Sequence, residues 1–139
     1  DSVFLTTLKD LESFNSDLLN VDWKRMLEIK EEVNQRIEES RAAGVIKGSL
    51  DASIELILHS DDFNLTNRFA SEMHFFLIVS ECNILQGDSL KISVSKSSAE
   101  KCVRCWHRNK SVGSSNKHQE LCNRCVENLD GPGEDRRFA

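Results

Sequence analysis

An α+β body, two helices packed on a small antiparallel-type sheet, followed by a compact cysteine-tied module, is the fold class this sequence predicts. Three observations carry it. Between residues 22 and 43, apolar side chains recur at three- and four-residue intervals, as on one face of a helix. The stretches 53–59 and 90–95 alternate apolar and polar residues, as half-buried strands do. Near the end stand two C-x2-C pairs, Cys102 with Cys105 and Cys122 with Cys125, in the pattern C-x2-C-x16-C-x2-C. That spacing is the ligand pattern of a tetrahedral Zn²⁺ site and makes the module a four-cysteine zinc-knuckle or ribbon.

The first twenty residues are mixed. Val3-Phe4-Leu5 reads as a short strand or docking arm, and Asn15, Ser16, Asp17 and Asn20 punctuate toward a helix start. In the helix that follows, Trp23, Met26, Leu27, Val33 and Ile37 share a face, with Trp23 as a core anchor. Asp22 is its N-cap, Arg41 sits in its last turn and Gly44 supplies the C-cap position. After a loop, Ile54, Leu56 and Leu58 form the inner face of a strand. Asp61-Asp62 opens a second helix with the stripe Leu65, Phe69, Met73, Phe76 and Leu77. Residues 77–85 carry the chain into a strand, Gln86-Gly87-Asp88 turns it, and 90–95 is its partner. Ser95-Lys96-Ser97-Ser98 is a polar linker into the zinc segment. The division is an α+β domain over 1–97 and a zinc module with a basic tail over 98–139.

Composition sets the class. The 139 residues are 29% charged and 39% hydrophobic, which suits a soluble globular protein rather than a disordered one. No apolar run reaches membrane-spanning length, and no secretory signal opens the chain. Four of the five cysteines are paired as C-x2-C and Cys82 stands alone in an apolar run, as a small buried residue. That usage fits a reducing compartment. The chain opens on Asp1 and reads as a piece of something longer. The net charge of −5 hides an asymmetry: residues 1–100 carry 10 basic and 18 acidic side chains, residues 101–139 carry 8 and 5. A basic appendage beside an acidic body suits a polyanionic partner, although four thiolates around Zn²⁺ also call for compensating cations.

With Cys102, Cys105, Cys122 and Cys125 as ligands, the coordination shell is closed, so the metal is structural and not catalytic. A segment of this size cannot bury enough apolar area to fold unaided, and the metal supplies the difference. A redox dithiol is the competing reading, and two such pairs fit it poorly. His107 and His118 are available to a mixed site but are not needed. Around the ligands lie Lys101, Arg104, Trp106, Arg108, Lys110, Lys117 and Arg124, with Arg136 and Arg137 in the tail. Cations beside an aromatic ring suit nucleic acid, the cations meeting phosphates and the ring offering a stacking face. The plainer reading packs Trp106 into the zinc knot and leaves the cations solvated.

Several motifs together resemble the C-terminal zinc segment of bacterial-type isoleucyl-tRNA synthetase. They are Lys101-Cys102-x-Arg104-Cys105-Trp106-His107, Val112-Gly113, Leu121-Cys122-x-Arg124-Cys125, and the ending Gly131-x-Gly133-Glu134-x-Arg136-x-Phe138-Ala139. Upstream, Asp1 to Leu5 looks like the family's exit from its helical anticodon-binding domain, and 23–58 and 77–82 look like its junction domain. Leu8 and Lys9 depart from the family's usual Trp-Pro pair. The resemblance implies an enzyme, a ligase that activates isoleucine with ATP and Mg²⁺ and transfers it to tRNA-Ile. Its catalytic domain, with HIGH and KMSKS sequences, and its editing domain would lie upstream, so this segment carries no catalytic residue. Val94-Ser95-Lys96-Ser97-Ser98 is only superficially similar to KMSKS, since it ends a strand that leads into the zinc segment. The segment is then the tRNA-recognition end, near the anticodon stem-loop. Arg104, Trp106, Arg108 and Arg124 are placed against RNA, with Lys101, Arg136 and Arg137 behind them. The implied setting is a cytoplasmic monomer, whose partners are tRNA-Ile and its own upstream domains, with no membrane.

The same cysteine spacing resembles the zinc finger of formamidopyrimidine-type DNA glycosylases, which grip duplex DNA. That family has a catalytic N-terminal Pro and a helix-two-turns-helix, which the upstream residues here do not supply. A third reading is a purely structural module.

Overall fold

The computed structural model describes residues 22–136. The readings placed on Val3-Phe4-Leu5, on residues 15–20 and on Arg137 fall outside that range.

Helix α1 (Trp23–Ala42) begins where the sequence places it. The Asp22 carboxylate accepts the Arg25 N–H at 3.0 Å, satisfying one of the orphan donors of the first turn. It ends in a Schellman closure: the Gly44 N–H donates to the Arg41 carbonyl and the Val45 N–H to that of Ser40. Gly44 makes this possible at φ +74, a conformation that costs other residues a Cβ clash. The buried face is Met26, Ile29, Val33 and Ile37. Leu27, expected on this face, is exposed, and Ile29 takes its place. Trp23 is 41% exposed and lies at the rim, its ring 6.1 Å from Phe69 and 6.3 Å from Phe76.

After a 3-10 turn (Ser49–Asp51), strand β1 (Ala52–Leu58) runs through the centre of the body. Helices α2 (Ser60–Asn67) and α3 (Met73–Leu77) lead to β2 (Glu81–Gln86), and β3 (Lys91–Lys96) completes a three-stranded sheet in the order β2-β1-β3. The α+β class with a small sheet and a four-cysteine module holds, with two changes of detail.

The first concerns the sheet. Residues 77–85 and 90–95 were expected to pair with each other, but β2 and β3 lie on opposite edges of β1. The β1–β2 pair is parallel and the β1–β3 pair antiparallel, so the sheet is mixed. Burial explains the choice: Ala52, Ile54, Leu56 and Leu58 are at most 1% exposed. The strand with this inner face gains most from the centre, where Leu56 stands opposite Ile84 on one side and Ile92 on the other. Leu56→Ala is expected to cost about 2–5 kcal/mol, read as a lower denaturation midpoint with unchanged slope.

The second concerns the second helix, which breaks between Asn67 and Met73. The Phe69, Ala70 and Glu72 N–H groups donate three residues back, to Thr66, Asn67 and Phe69 carbonyls. The buried Thr66 hydroxyl donates to the Asp62 carbonyl at 2.8 Å. The stripe survives the break: Phe69, Met73 and Leu77 are buried, with Leu65 and Phe76 packed against them. Cys82 also packs against this core, and burial pushes its thiol up to about 11, which leaves it an unreactive apolar residue.

A separate small core lies in the module, where Cys102, Leu121, Cys122 and Cys125 are buried with Cys105, Val112 and Val126 against them. Helix α4 (Asn123–Asp130) carries Cys125. Two part-buried links join module to body. The Arg108 guanidinium bonds the Asp51 carboxylate at 2.8 Å, and within the module also the Ala99 carbonyl at 3.1 Å. The Arg108 N–H donates to the Ser80 hydroxyl at 2.6 Å. Among the described residues no helix is long and apolar enough to cross a membrane.

Candidate metal centre and its basic surface

Two turns present the four thiols. In the first, the Cys102 N–H donates to the His107 carbonyl and the Trp106 N–H to that of Cys102, both at 2.9 Å. A bridge between Lys101 and Arg108 closes the turn. Trp106 sits at φ +67, so this tight reversal holds a bulky residue in the left-handed region. In the second turn, Cys122 stands at the N-cap of α4 and its N–H donates to the Cys102 sulfur at 3.4 Å.

The four Sγ atoms lie within 4.8 Å of one another, and those of Cys105 and Cys122 are 3.8 Å apart. A tetrahedron with Zn–S bonds of about 2.3 Å has an S···S edge of about 3.8 Å. None of the cysteines is in a disulfide. The electrostatics call for a cation. Burial opposes ionisation of Cys102, yet the N–H groups of Cys105, Cys122 and Arg104 pull its thiol down to about 6. Burial pushes Cys122 up to about 12, and the Cys105 charge adds to this. Cys125 is raised by burial as well. Cys102 ionises readily while Cys122 and Cys125 resist, so thiolates at all four positions need a metal between them. The donor set fits one zinc ion in a closed, structural shell.

Two guanidiniums meet this sulfur cluster. Arg104 places Nη1 3.6 Å from the Cys125 sulfur. Arg124 is disfavoured by burial, but the Cys105 sulfur and the Glu134 carboxylate hold its charge in place. Four thiolates around Zn²⁺ carry a net −2, and these two cations offset it.

The histidines stand apart from the thiols. His118 pairs with Asp130 through Nε2 at 2.9 Å. The His107 ring lies edge-on to Phe75 at 5.8 Å and to His74 at 6.3 Å, at the seam with α3. Burial lowers the titration of both His74 and His107, with neighbouring positive charge adding to it, so both rings are neutral at pH 7.

The seven residues expected to face RNA divide by position. Lys101, Arg104 and Trp106 are exposed, Arg104 with one nitrogen turned to the Cys125 sulfur. Trp106 is 61% exposed and lies outside the zinc core, with Lys101 Nζ 5.3 Å from its ring centre. Arg108, Arg124 and Arg136 are engaged within the protein. Arg108 holds Asp51, while Arg124 and Arg136 flank Phe75 at 5.0 and 4.2 Å and share Glu134. Glu134 is pinned to α4 by Asn128, whose side-chain oxygen accepts the Glu134 N–H at 2.9 Å. The tail motif therefore clasps α4 to the body. Arg137 lies outside the described residues. Sequence reasoning missed Phe75 and His74 as the seat for this clasp; their place in an apolar helical stretch resembles ordinary core.

Comparison with known proteins agrees with this geometry. Residues 99–128 match the family described as a zinc finger found in FPG and IleRS. The chain is 43% identical over 141 aligned residues to the isoleucine–tRNA ligase of Dichelobacter nodosus, covering 100% of this chain and 15% of that protein. It is 40% identical to that of Idiomarina loihiensis, over 88% of this chain and 14% of that protein. Similarity to that of Teredinibacter turnerae is 37%, over 99% of this chain and 16% of that protein. The chain is thus homologous over its whole length to one segment of bacterial isoleucine–tRNA ligases, and spans about 15% of their length.

Proposed function

We propose that this chain, homologous over its whole length to one segment of isoleucine–tRNA ligases, is the C-terminal tRNA-recognition part of such an enzyme. Residues 1–97 form its junction domain and residues 98–139 its zinc module. Cys102, Cys105, Cys122 and Cys125 hold one Zn²⁺, which supplies folding free energy and no step of the reaction. ATP, Mg²⁺ and the acyl-transfer chemistry belong to upstream domains of the parent, a cytoplasmic monomer.

The observation that carries the reading is Trp106. The fold spends a left-handed backbone conformation on this residue and then leaves its ring in solvent, beside Lys101 and on the same turn as Arg104. An exposed aromatic flanked by cations is the arrangement that stacks an unpaired base and meets its phosphates. Arg108, Arg124 and Arg136 act behind it, setting the angle at which the module meets the body. Because the guanidiniums of Arg108, Arg124 and Arg136 are held by carboxylates and by Phe75, they shape the surface. Lys101 and Trp106 touch the anticodon region, with Arg104, exposed beside them although one of its nitrogens meets the Cys125 sulfur, adding positive charge.

A binding comparison at fixed salt tests this. The parent ligase is expected to prefer tRNA-Ile over another tRNA and over duplex DNA, and to lose that preference when residues 101–139 are deleted. Full retention of the preference would leave a purely structural module. A switch to duplex DNA as the better ligand would favour the glycosylase-type finger.

A further inference from the structure

Between the zinc knuckle and the body lies a cleft of about 320 Å³, walled by the 47–51 loop on one side and by Lys101 and Trp106 on the other. That volume is at the small end of ligand sites and suits one unpaired nucleotide rather than a duplex. Its charge is positive. Lys47 is exposed at the rim, and Lys101 stands opposite. The carboxylate in the wall, Asp51, is neutralised by Arg108 at 2.8 Å and also accepts the Lys47 N–H at 3.3 Å.

The body wall is built in advance of any ligand. The Gly44 closure fixes its start, and the Asp51 N–H donates to the Gly48 carbonyl at 2.9 Å. The Ser97 N–H holds the Asp51 carbonyl at 2.8 Å. In the middle, Gly48 is extended at φ −164, and a Cβ added there meets nothing within 4 Å. A side chain would therefore fit the backbone at Gly48, which itself lines the cleft. Trp106 presents its ring to the same space, steadied by Lys101.

We propose that this cleft is a single-nucleotide site shared between body and zinc module, in which Lys47 meets the phosphate of an unpaired RNA nucleotide whose base lies on Trp106. The proposal rests on the RNA-facing reading of the zinc module and adds to it a second wall, the 47–50 loop, contributed by the body. A nucleotide gripped from both sides is read only when the module is docked, which ties recognition to the Arg108–Asp51 link.

The test uses the zinc-loaded parent ligase with Lys47→Ala and with Gly48→Phe, which adds bulk at a residue lining the cleft. Lys24→Ala, on an exposed part of α1 outside the cleft, is the control. The ligands are a tRNA-Ile transcript and adenosine monophosphate. Lys47→Ala is expected to weaken tRNA binding about tenfold and to flatten the dependence of log K on log salt by about 0.7, the share of one single-strand phosphate. Gly48→Phe is expected to weaken binding by a similar factor with an unchanged melting temperature, and Lys24→Ala to change neither quantity. Wild-type affinity and salt slope in both cleft variants would overturn the shared site. If Trp106→Ala then still weakened binding, the RNA-facing module would stand without the cleft. If Trp106→Ala were also silent, both would fall. Adenosine monophosphate binding with the same Lys47 dependence, and no tRNA effect, would reassign the cleft to a free nucleotide.

Discussion

Replacing Cys122 with serine is expected to release the metal and unfold the module while the α+β body keeps its helix signal. The module's core is little more than the ligands themselves with Leu121, Val112 and Val126 around them. Structural zinc in such small units accounts for an apparent folding free energy of about 10–16 kcal/mol at neutral pH. Hydrogen-exchange protection should vanish from the Cys102–His107 turn and from α4, and persist in α1 and β1. A chelator should act in the same way on the unaltered protein. Protection that survived metal loss in the module would refute the structural role of zinc.

Arg108→Leu is expected to weaken the docking of the zinc module on the body. The Arg108–Asp51 pair is largely shielded from solvent, with side chains 21% and 16% exposed. Removing the guanidinium leaves the carboxylate with the Lys47 N–H as its remaining hydrogen bond and frees the Ala99 carbonyl, at a cost of about 1–3 kcal/mol. The pH dependence identifies the cause. Arg108, first through its hydrogen bond, holds the Asp51 carboxyl below the usual carboxylate range. A lowered folded value means that the contribution is complete above about pH 4 and disappears as pH falls through the folded value. Arg108→Leu should therefore lose stability at neutral pH and show a shallower acid transition below about pH 4. Equal loss at all pH values would assign the effect to packing alone.

Much of the fold was legible because local chemistry and tertiary demand agreed. Asp22 and Gly44 bound α1 because a carboxylate cap that accepts a first-turn N–H and a left-handed closure leave clear signatures. The alternation in β1 is legible because its inner face is fully buried. The sheet order was not, since a turn-flanked pair such as β2 and β3 looks like a hairpin unless the third strand competes for the centre. The pairing was decided by the depth at which β1 is buried, a property of the assembled layers. The break after Asn67 lacks a Gly or Pro to announce it, and the apolar stripe continues across it.

At the site, the thiol cluster follows from spacing, while the roles of the cations do not. Arg104 and Arg108 are four residues apart, yet one faces the sulfurs at the surface and the other reaches the body. Helix α4 was also unforeseen, because its eight residues bury only Cys125 and owe their place to the ligand they carry. The same reasoning separates Trp106 from Trp23: both are aromatic residues near helical or knuckle turns, and only contacts tell which one is left to a partner.

The most direct measurement is tRNA-Ile affinity of the parent ligase carrying Trp106→Ala, at one fixed salt concentration, with zinc content and hydrogen exchange read on the same sample. The expected result is a loss of about 1–3 kcal/mol in binding with zinc content and module protection unchanged, since the ring stacks outside the core. Unchanged affinity, or a module that loses its metal and its protection, would contradict an RNA-facing Trp106.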